Sequence, residues 1–189
     1  MLEAPEALLE ERRRLGLDVF DEMWEGVLHM VPAPSGPHQR LALKLGAAFL
    51  PLAEARGMVI SQDTGLYRPE AGVLDYRVPD LIIARTTSAS DRGVEGRAEL
   101  AVEIRSPGDE TYAKLSFYAE VGVQELLVVD RDTYALELFV LRGATFLAAL
   151  PDAEGAVLLG SVGVSLATVA GPALRLAWDG GTTEITGRI

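Results

Sequence analysis

The chain contains no cysteine, so disulfides, thiolate nucleophiles and cysteine-bound zinc are all excluded. Histidine is almost as scarce: His29 and His38 are the only two, too few for a multi-histidine metal centre. Any metal must therefore be held mainly by oxygen. Lysine is limited to Lys44 and Lys114 against 15 arginines, and 17 basic residues face 28 acidic ones, a net charge of −11. That balance argues against broad, non-specific adhesion to nucleic acid. No apolar run approaches the roughly 18 to 20 residues a membrane-spanning helix needs. The start, Met1-Leu2-Glu3-Ala4-Pro5-Glu6, lacks the basic beginning of a secretion signal. The expectation is a cytoplasmic protein with no membrane association.

Hydrophobic residues make up 49% of the chain and charged ones 24%, which places it among globular rather than disordered sequences. Its 189 residues suffice for one substantial core, and no linker divides them, so one domain spanning 1–189 is expected. The negative charge is uneven. Residues 1–25 carry eight acidic groups and three arginines, a net of −5 by subtraction, which leaves room for a local basic surface elsewhere.

Residues 5–15 read as a short helix with Glu10 and Arg14 one turn apart, broken by Gly16. Residues 26–31 read as a strand that stops at the turn-forming run Pro32-Ala33-Pro34-Ser35-Gly36-Pro37. From His38 to Arg56 the apolar positions Leu41, Leu45, Ala48, Phe49 and Leu52 recur at helical spacing, with a kink expected at Pro51 and closure at Gly57. Short strands follow at 58–61, 65–68, 81–84 and 100–104. Asp109 is placed to cap a helix running to about Glu120, and residues 125–129 form the next strand. Segments 134–141 and 145–150 read as a hairpin turning at Arg142-Gly143. The last 40 residues give weak signals, consistent with loops and short strands. This order predicts an α/β or α+β fold, a mixed central sheet flanked by helices.

Two carboxylates stand where a purely structural strand would not place them. Asp80 follows Pro79 and opens the apolar run Leu81-Ile82-Ile83-Ala84, and Glu103 is embedded in Leu100-Ala101-Val102-Glu103-Ile104. Buried carboxylates are rare unless paired or bound to metal. Alternation puts Glu103 and Arg105 on one face and Val102 and Ile104 on the other, so an ion pair between Glu103 and Arg105, with Asp80 capping its strand, is one reading. The other is a metal site. Lys114 and Tyr118 lie one helical turn apart on the next element and can both face the end of the Glu103 strand. In so arginine-rich a chain a lysine there is informative, because an ammonium is a compact charge that can change protonation.

At these residues the chain resembles a known family. Val78-Pro79-Asp80, Ala101-Val102-Glu103-Ile104-Arg105-Ser106-Pro107, Lys114, Tyr118, Gly122-Val123-Gln124-Glu125 and Val128-Val129-Asp130 are similar to the Uma-two family of putative restriction endonucleases, within the PD-(D/E)xK nuclease superfamily. The likeness extends to Trp24-Glu25-Gly26-Val27-Leu28, Pro32-Ala33-Pro34-Ser35, His38-Gln39 and Asp91-Arg92-Gly93-Val94-Glu95-Gly96, over about residues 18–148.

The resemblance implies a restriction-endonuclease-like fold and an Mg²⁺- or Mn²⁺-dependent endonuclease acting on DNA. Asp80 and Glu103 would hold the ion, assisted by the Ile104 backbone carbonyl. The superfamily's lysine normally stands two residues after the glutamate, where this chain has Arg105. Lys114 matches a position relocated to the following helix. Arg105 would then contact a scissile phosphate, and Tyr118 would orient Lys114 or pack in the core. His38 could approach the site or simply open its helix. Glu25 and Glu99 are further carboxylates with a solvated surface as their simpler reading, and Asp130 is expected to serve a turn. Two other readings stay open: an inactive interaction protein that homodimerises through the hairpins near Tyr134 and Phe146, and a metal-dependent hydrolase of RNA or a small phosphate ester.

Overall fold

A computed structural model of the chain describes residues 5–16, 18–171 and 173–186. Helix α1 (Glu6–Arg14) precedes the hairpin β1 (Glu22–Trp24) and β2 (Val27–His29). Helix α2 (Gly36–Glu54) leads into β3 (Met58–Gln62), β4 (Leu66–Tyr67), β5 (Tyr76–Arg77), β6 (Leu81–Arg85), β7 (Ala89–Ser90), β8 (Gly93–Glu95) and β9 (Leu100–Arg105). A 3₁₀ turn over Thr111–Lys114 and helix α3 (Leu115–Val121) connect to β10 (Glu125–Asp130), β11 (Leu136–Arg142) and β12 (Thr145–Ala149). The chain ends in β13 (Ala156–Leu159), β14 (Val164–Val169), β15 (Ala173–Trp178) and β16 (Gly181–Ile185).

The central sheet has the order β12-β11-β10-β9-β6-β3. Its β9–β10 pair is parallel, joined by the helical crossover that carries α3, and all others are antiparallel. The mixed sheet expected from the sequence is therefore present, and the layers over it are not all helical. One face packs on α2 through Leu41, Leu45, Phe49 and Leu52, and on the antiparallel meander β13–β16 through Val157, Leu166, Leu174 and Leu176. The other face packs on α3 through Phe117, Tyr118 and Val121, with Leu66 and Val94 of a second small sheet, β2-β1-β5-β4-β8-β7.

Local chemistry explains the element boundaries. Ser35 takes the N-cap of α2 and its hydroxyl accepts the His38 amide at 3.5 Å, so the helix begins at Gly36, two residues before the periodicity indicated. Pro37 is tolerated in that first turn because its missing amide hydrogen would be unpaired anyway. Pro51 lies in the last turn, and Gly57, at φ 67°, carries the chain out. Asp109 accepts from the Ser106 and Thr111 amides, but a 3₁₀ turn precedes the α-helix it was expected to cap.

The last 40 residues are more ordered than their pattern indicates. Leu159, Val164, Leu166, Leu174 and Leu176 are fully buried and join the cluster that contains α2. The meander thus closes the core. Replacing the fully buried Leu176 with Ala should cost about 2–5 kcal/mol of unfolding free energy, the range for deleting a packed leucine side chain. Urea denaturation measures it, and a loss within about 0.5 kcal/mol would make the meander a peripheral appendage.

Candidate metal centre

Register places the two carboxylates side by side. Leu81 pairs with Val102 across β6 and β9, so the next positions outward put Asp80 opposite Glu103 and Pro79 opposite Ile104. Pro79 has no amide hydrogen to offer, so the ladder stops there and the Ile104 carbonyl receives no partner from it. The Ile104 amide instead donates to Asp80 Oδ2 at 2.5 Å, which locks the aspartate against the end of β9. The other Asp80 oxygen, Oδ1, meets His38 Nε2 at 2.7 Å. His38 is buried at the start of α2, and the Ser35 cap fixes its backbone. Burial alone would lower the His38 pKa. The hydrogen bond and charge of Asp80, with Asp63 and Glu103 behind it, outweigh that and raise it.

Glu103 lies on the α3 side of the sheet, 5% exposed, with Val102 and Ile104 in the opposite cluster. Its Oε1 accepts from Lys114 Nζ at 3.2 Å and from the Tyr118 hydroxyl. The i,i+4 spacing of Lys114 and Tyr118 survives the change from 3₁₀ to α-helix between them, and both reach the same oxygen. The second oxygen, Oε2, accepts no hydrogen bond among the described residues. Burial pushes the Glu103 carboxyl up to about 7, Lys114 pulls the other way, and the Asp80 and Glu22 charges push it further up. Burial would lower Lys114, but Glu103 and Glu22 prevail and raise it. Tyr118 is held well above its ordinary value by burial and by the same carboxylates.

Glu22 is the participant that sequence reasoning missed. It comes from β1, is 1% exposed, and binds Lys114 Nζ at 2.8 Å through Oε1. The Val78 amide and the Trp24 indole donate to it at 2.8 and 2.7 Å. Arg77 pins that hairpin in place: its guanidinium is stacked 4.4 Å from the Trp24 ring and 4.1 Å from the Phe117 ring of α3, and it donates to the Met23 carbonyl at 2.9 Å. Asp63 also stands by, accepting from Gln39 and Gln62 at 3.4 Å each. A strand-embedded glutamate at 22, in a Glu-Met-Trp segment before a turn, carries the same kind of signal that singled out Glu103, but the acidity of residues 1–25 hides it.

Other expected residues go elsewhere. Arg105 pairs with Asp130 at 2.6 Å rather than with Glu103, so the simple ion-pair explanation of Glu103 does not hold. Asp130 also accepts from the Asp132 and Thr133 amides and so serves the turn after β10, as expected. Glu99 is not a solvated residue: it is buried and paired with Arg85 and Arg97 at 3.1 and 3.4 Å, away from the centre. Glu25 is an exposed turn residue whose amide donates to Asp75.

Among the described residues, no group of three or more acidic or histidine side chains is arranged to hold a metal ion. The residues that fit one are fewer: the open Glu103 Oε2, Asp80 beside it, and the unclaimed Ile104 carbonyl. An all-oxygen donor set of this size matches a hard divalent cation that keeps several waters, as Mg²⁺ does, and matches no soft metal.

The raised Glu103 value has a testable consequence for the metal-free protein. Between the ordinary carboxyl value and about 7 the folded state binds a proton that the unfolded state has lost, so stability falls as pH rises through that window. Glu103→Gln should flatten this decline between pH 4.5 and 7, read as unfolding midpoints at several pH values. An unchanged profile would mean that the carboxyl ionises normally.

The comparisons agree with this architecture. The Uma2 family model, described as a putative restriction endonuclease, matches residues 11–168. Comparison with curated protein sequences gives no match. Among solved structures, the chain is similar to the crystal structure of a putative nuclease belonging to DUF820 from Anabaena variabilis ATCC 29413, with TM-score 0.58 and 16% identity, over 73% of this chain and 79% of that one. No helix among the described residues is long and apolar enough to cross a membrane. With the family model spanning Glu22, Asp80, Glu103 and Lys114 alike, the chain belongs to the Uma2 family of putative restriction endonucleases and has a nuclease-like fold.

Proposed function

We propose that the chain is a divalent-metal-dependent endonuclease that hydrolyses phosphodiester bonds in DNA, with Mg²⁺ or Mn²⁺ as cofactor. The observation that carries this reading is the meeting of one buried ammonium with a half-free buried carboxylate: Lys114 Nζ lies 3.2 Å from Glu103 Oε1 while Oε2 has no donor among the described residues. Asp80, register-paired with Glu103, supplies the second carboxylate.

A bound cation supplies activation of a water and neutralisation of charge on the phosphate. Glu103, Asp80 and the Ile104 carbonyl would hold it. Tyr118 fixes the orientation of Glu103 through its hydroxyl, and His38 does the same for Asp80. Lys114, gripped by Glu22 and raised in pKa, keeps its proton at neutral pH, so it acts as a fixed positive charge toward an anionic substrate rather than as a base. Arg105, at the end of β9 and 35% exposed, can turn to a phosphate.

A second reading is favoured by one observation: both Asp80 oxygens already accept from protein donors, as a non-catalytic interaction protein would have them. One set of assays separates the two. Wild type should nick supercoiled plasmid with Mg²⁺ or Mn²⁺ and stop with EDTA. Lys114→Ala, verified as folded by circular dichroism, should lose about 10²-fold or more in turnover, the scale of a positioned catalytic group, while still binding Mn²⁺. Arg105→Ala should lose less, and Glu103→Gln should weaken Mn²⁺ binding in calorimetry. Full activity in Lys114→Ala with loss in Arg105→Ala would reverse their roles. Mn²⁺ binding without DNA cleavage would shift the substrate to RNA or a small phosphate ester, and neither binding nor cleavage would establish the non-catalytic reading.

A further inference from the structure

We propose that β12 is a self-pairing edge through which two copies of this chain form a two-fold dimer with a continuous central sheet. This does not depend on the nuclease reading. Strand β12 is the outermost strand of the central sheet among the described residues. The run Thr145-Phe146-Leu147-Ala148-Ala149-Leu150 carries no charge and no proline, in a chain that is 24% charged. Free edges are normally blunted by charges, prolines, bulges or a further paired strand, and among the described residues none of these lies within β12 itself. The opposite edge is treated differently: β3 ends in Ser61-Gln62, and Gln62 is tied to Gln39 of α2 at 2.8 Å.

The exposed apolar side chains lie on both faces of that edge. Leu147 is 58% exposed on the side of the meander, and Leu150, one residue past the end of β12 and on the α3 side by continued alternation, is 90% exposed. A ligand docked on one face would cover only one of them. A strand laid alongside β12 covers both.

Backbone geometry then selects a second copy and fixes the register. Arg142 pairs with Thr145 across a two-residue turn, so Thr145, Leu147 and Ala149 direct their amide and carbonyl groups inward to β11. Phe146, Ala148 and Leu150 direct theirs outward. That outward set is symmetric about Ala148. An antiparallel copy related by a two-fold axis at Ala148 pairs Ala148 with itself and Phe146 with Leu150 of the partner subunit. Side chains keep their faces in this register: Leu150 covers an aromatic ring, and Leu147 lies against the partner's Ala149. Charge fits as well. The same register carries Asp152, whose Oδ1 accepts the Glu154 and Ala156 amides while Oδ2 accepts no hydrogen bond among the described residues, to the turn that follows Arg142 in the other copy, and Arg142 has no ion pair among the described residues. The interface is isologous and closes at two.

Sedimentation velocity on the full chain should show a dimer. Leu150→Lys removes the apolar cover from the partner's Phe146 and puts a charge on the edge strand, and should raise the dimer dissociation constant by about tenfold or more. Leu43→Lys, on the exposed face of α2, should leave it unchanged. Ala148→Cys tests the register. The chain has no other cysteine, and hydrogen-bonded partners lie about 5.5 Å apart, within the roughly 4.4–6.8 Å a disulfide spans. Mild oxidation should convert that variant to a covalent dimer, and Leu43→Cys should stay monomeric on a denaturing gel. A monomeric wild type at the highest soluble concentration overturns the proposal. A dimer that survives Leu150→Lys and leaves Ala148→Cys uncrosslinked places the interface elsewhere and overturns it equally.

Discussion

A carboxylate in the middle of a sheet, Glu103, sets the terms for everything around it. Ionised and unpartnered at 5% exposure it would cost several kcal/mol. The chain answers with a buried ammonium and a buried phenol on the crossover helix, so α3 must dock at one height and one rotation over β9. The answer is incomplete. Glu22, Asp80 and Glu103 bring three carboxylates together, against Lys114 and a histidine. Burial is the main cause of the raised Glu103 value, the Asp80 and Glu22 charges add to it against Lys114, and a divalent cation would offset that like charge.

Proline supplies the second constraint. Were residue 79 able to donate, the β6–β9 ladder would run one pair further and close over the Ile104 carbonyl. With Pro79 there, the ladder frays at the point where Asp80 can turn its carboxylate onto the Ile104 amide. A Pro-Asp step at the start of one strand and a Glu inside its neighbour are therefore two halves of one device: the first opens the edge that the second needs. The hairpin β1–β2 contributes from outside the sheet, with Glu22 holding Lys114 and Arg77 clamped between two aromatic rings to hold the hairpin.

Much of this was legible in the sequence, for definite reasons. Glu103 stood out because its neighbours are all apolar, and Lys114 and Tyr118 because helical spacing carries through a 3₁₀ turn well enough to keep them on one side. Glu22 was hidden because it is one of eight acidic residues in the first 25, and only the tertiary partner Lys114 separates it from its solvated neighbours. The alternative reading that pairs Arg105 with Glu103 fails because strand alternation says which face a side chain leaves from and nothing about how far a long guanidinium travels. It travels to Asp130 across the parallel pair. The meander was illegible because β13–β16 are only four to six residues long, and short strands half-facing solvent carry little periodicity until they are paired.

The net charge of −11 is the strongest physical objection to a nucleic-acid substrate, and the positions of the charges weaken it. Internal pairing leaves the sum unchanged, since Asp75, Glu99 and Glu22 take up Arg68, Arg77, Arg85, Arg97 and Lys114, but an approaching phosphate responds chiefly to charges within about a Debye length, not to the total. Near the C-terminal ends of β9 and β10, Arg105 is paired with Asp130, and Arg131 with Asp132 at 3.0 Å while reaching toward Ser106 and Ser35. Partly exposed pairs of this kind are worth about 0–1 kcal/mol, so exchanging an aspartate for a phosphate oxygen costs little. A phosphodiester arriving there would meet two arginines whose present partners are cheap to leave, at the mouth of a site whose carboxylates still lack a full complement of positive charge.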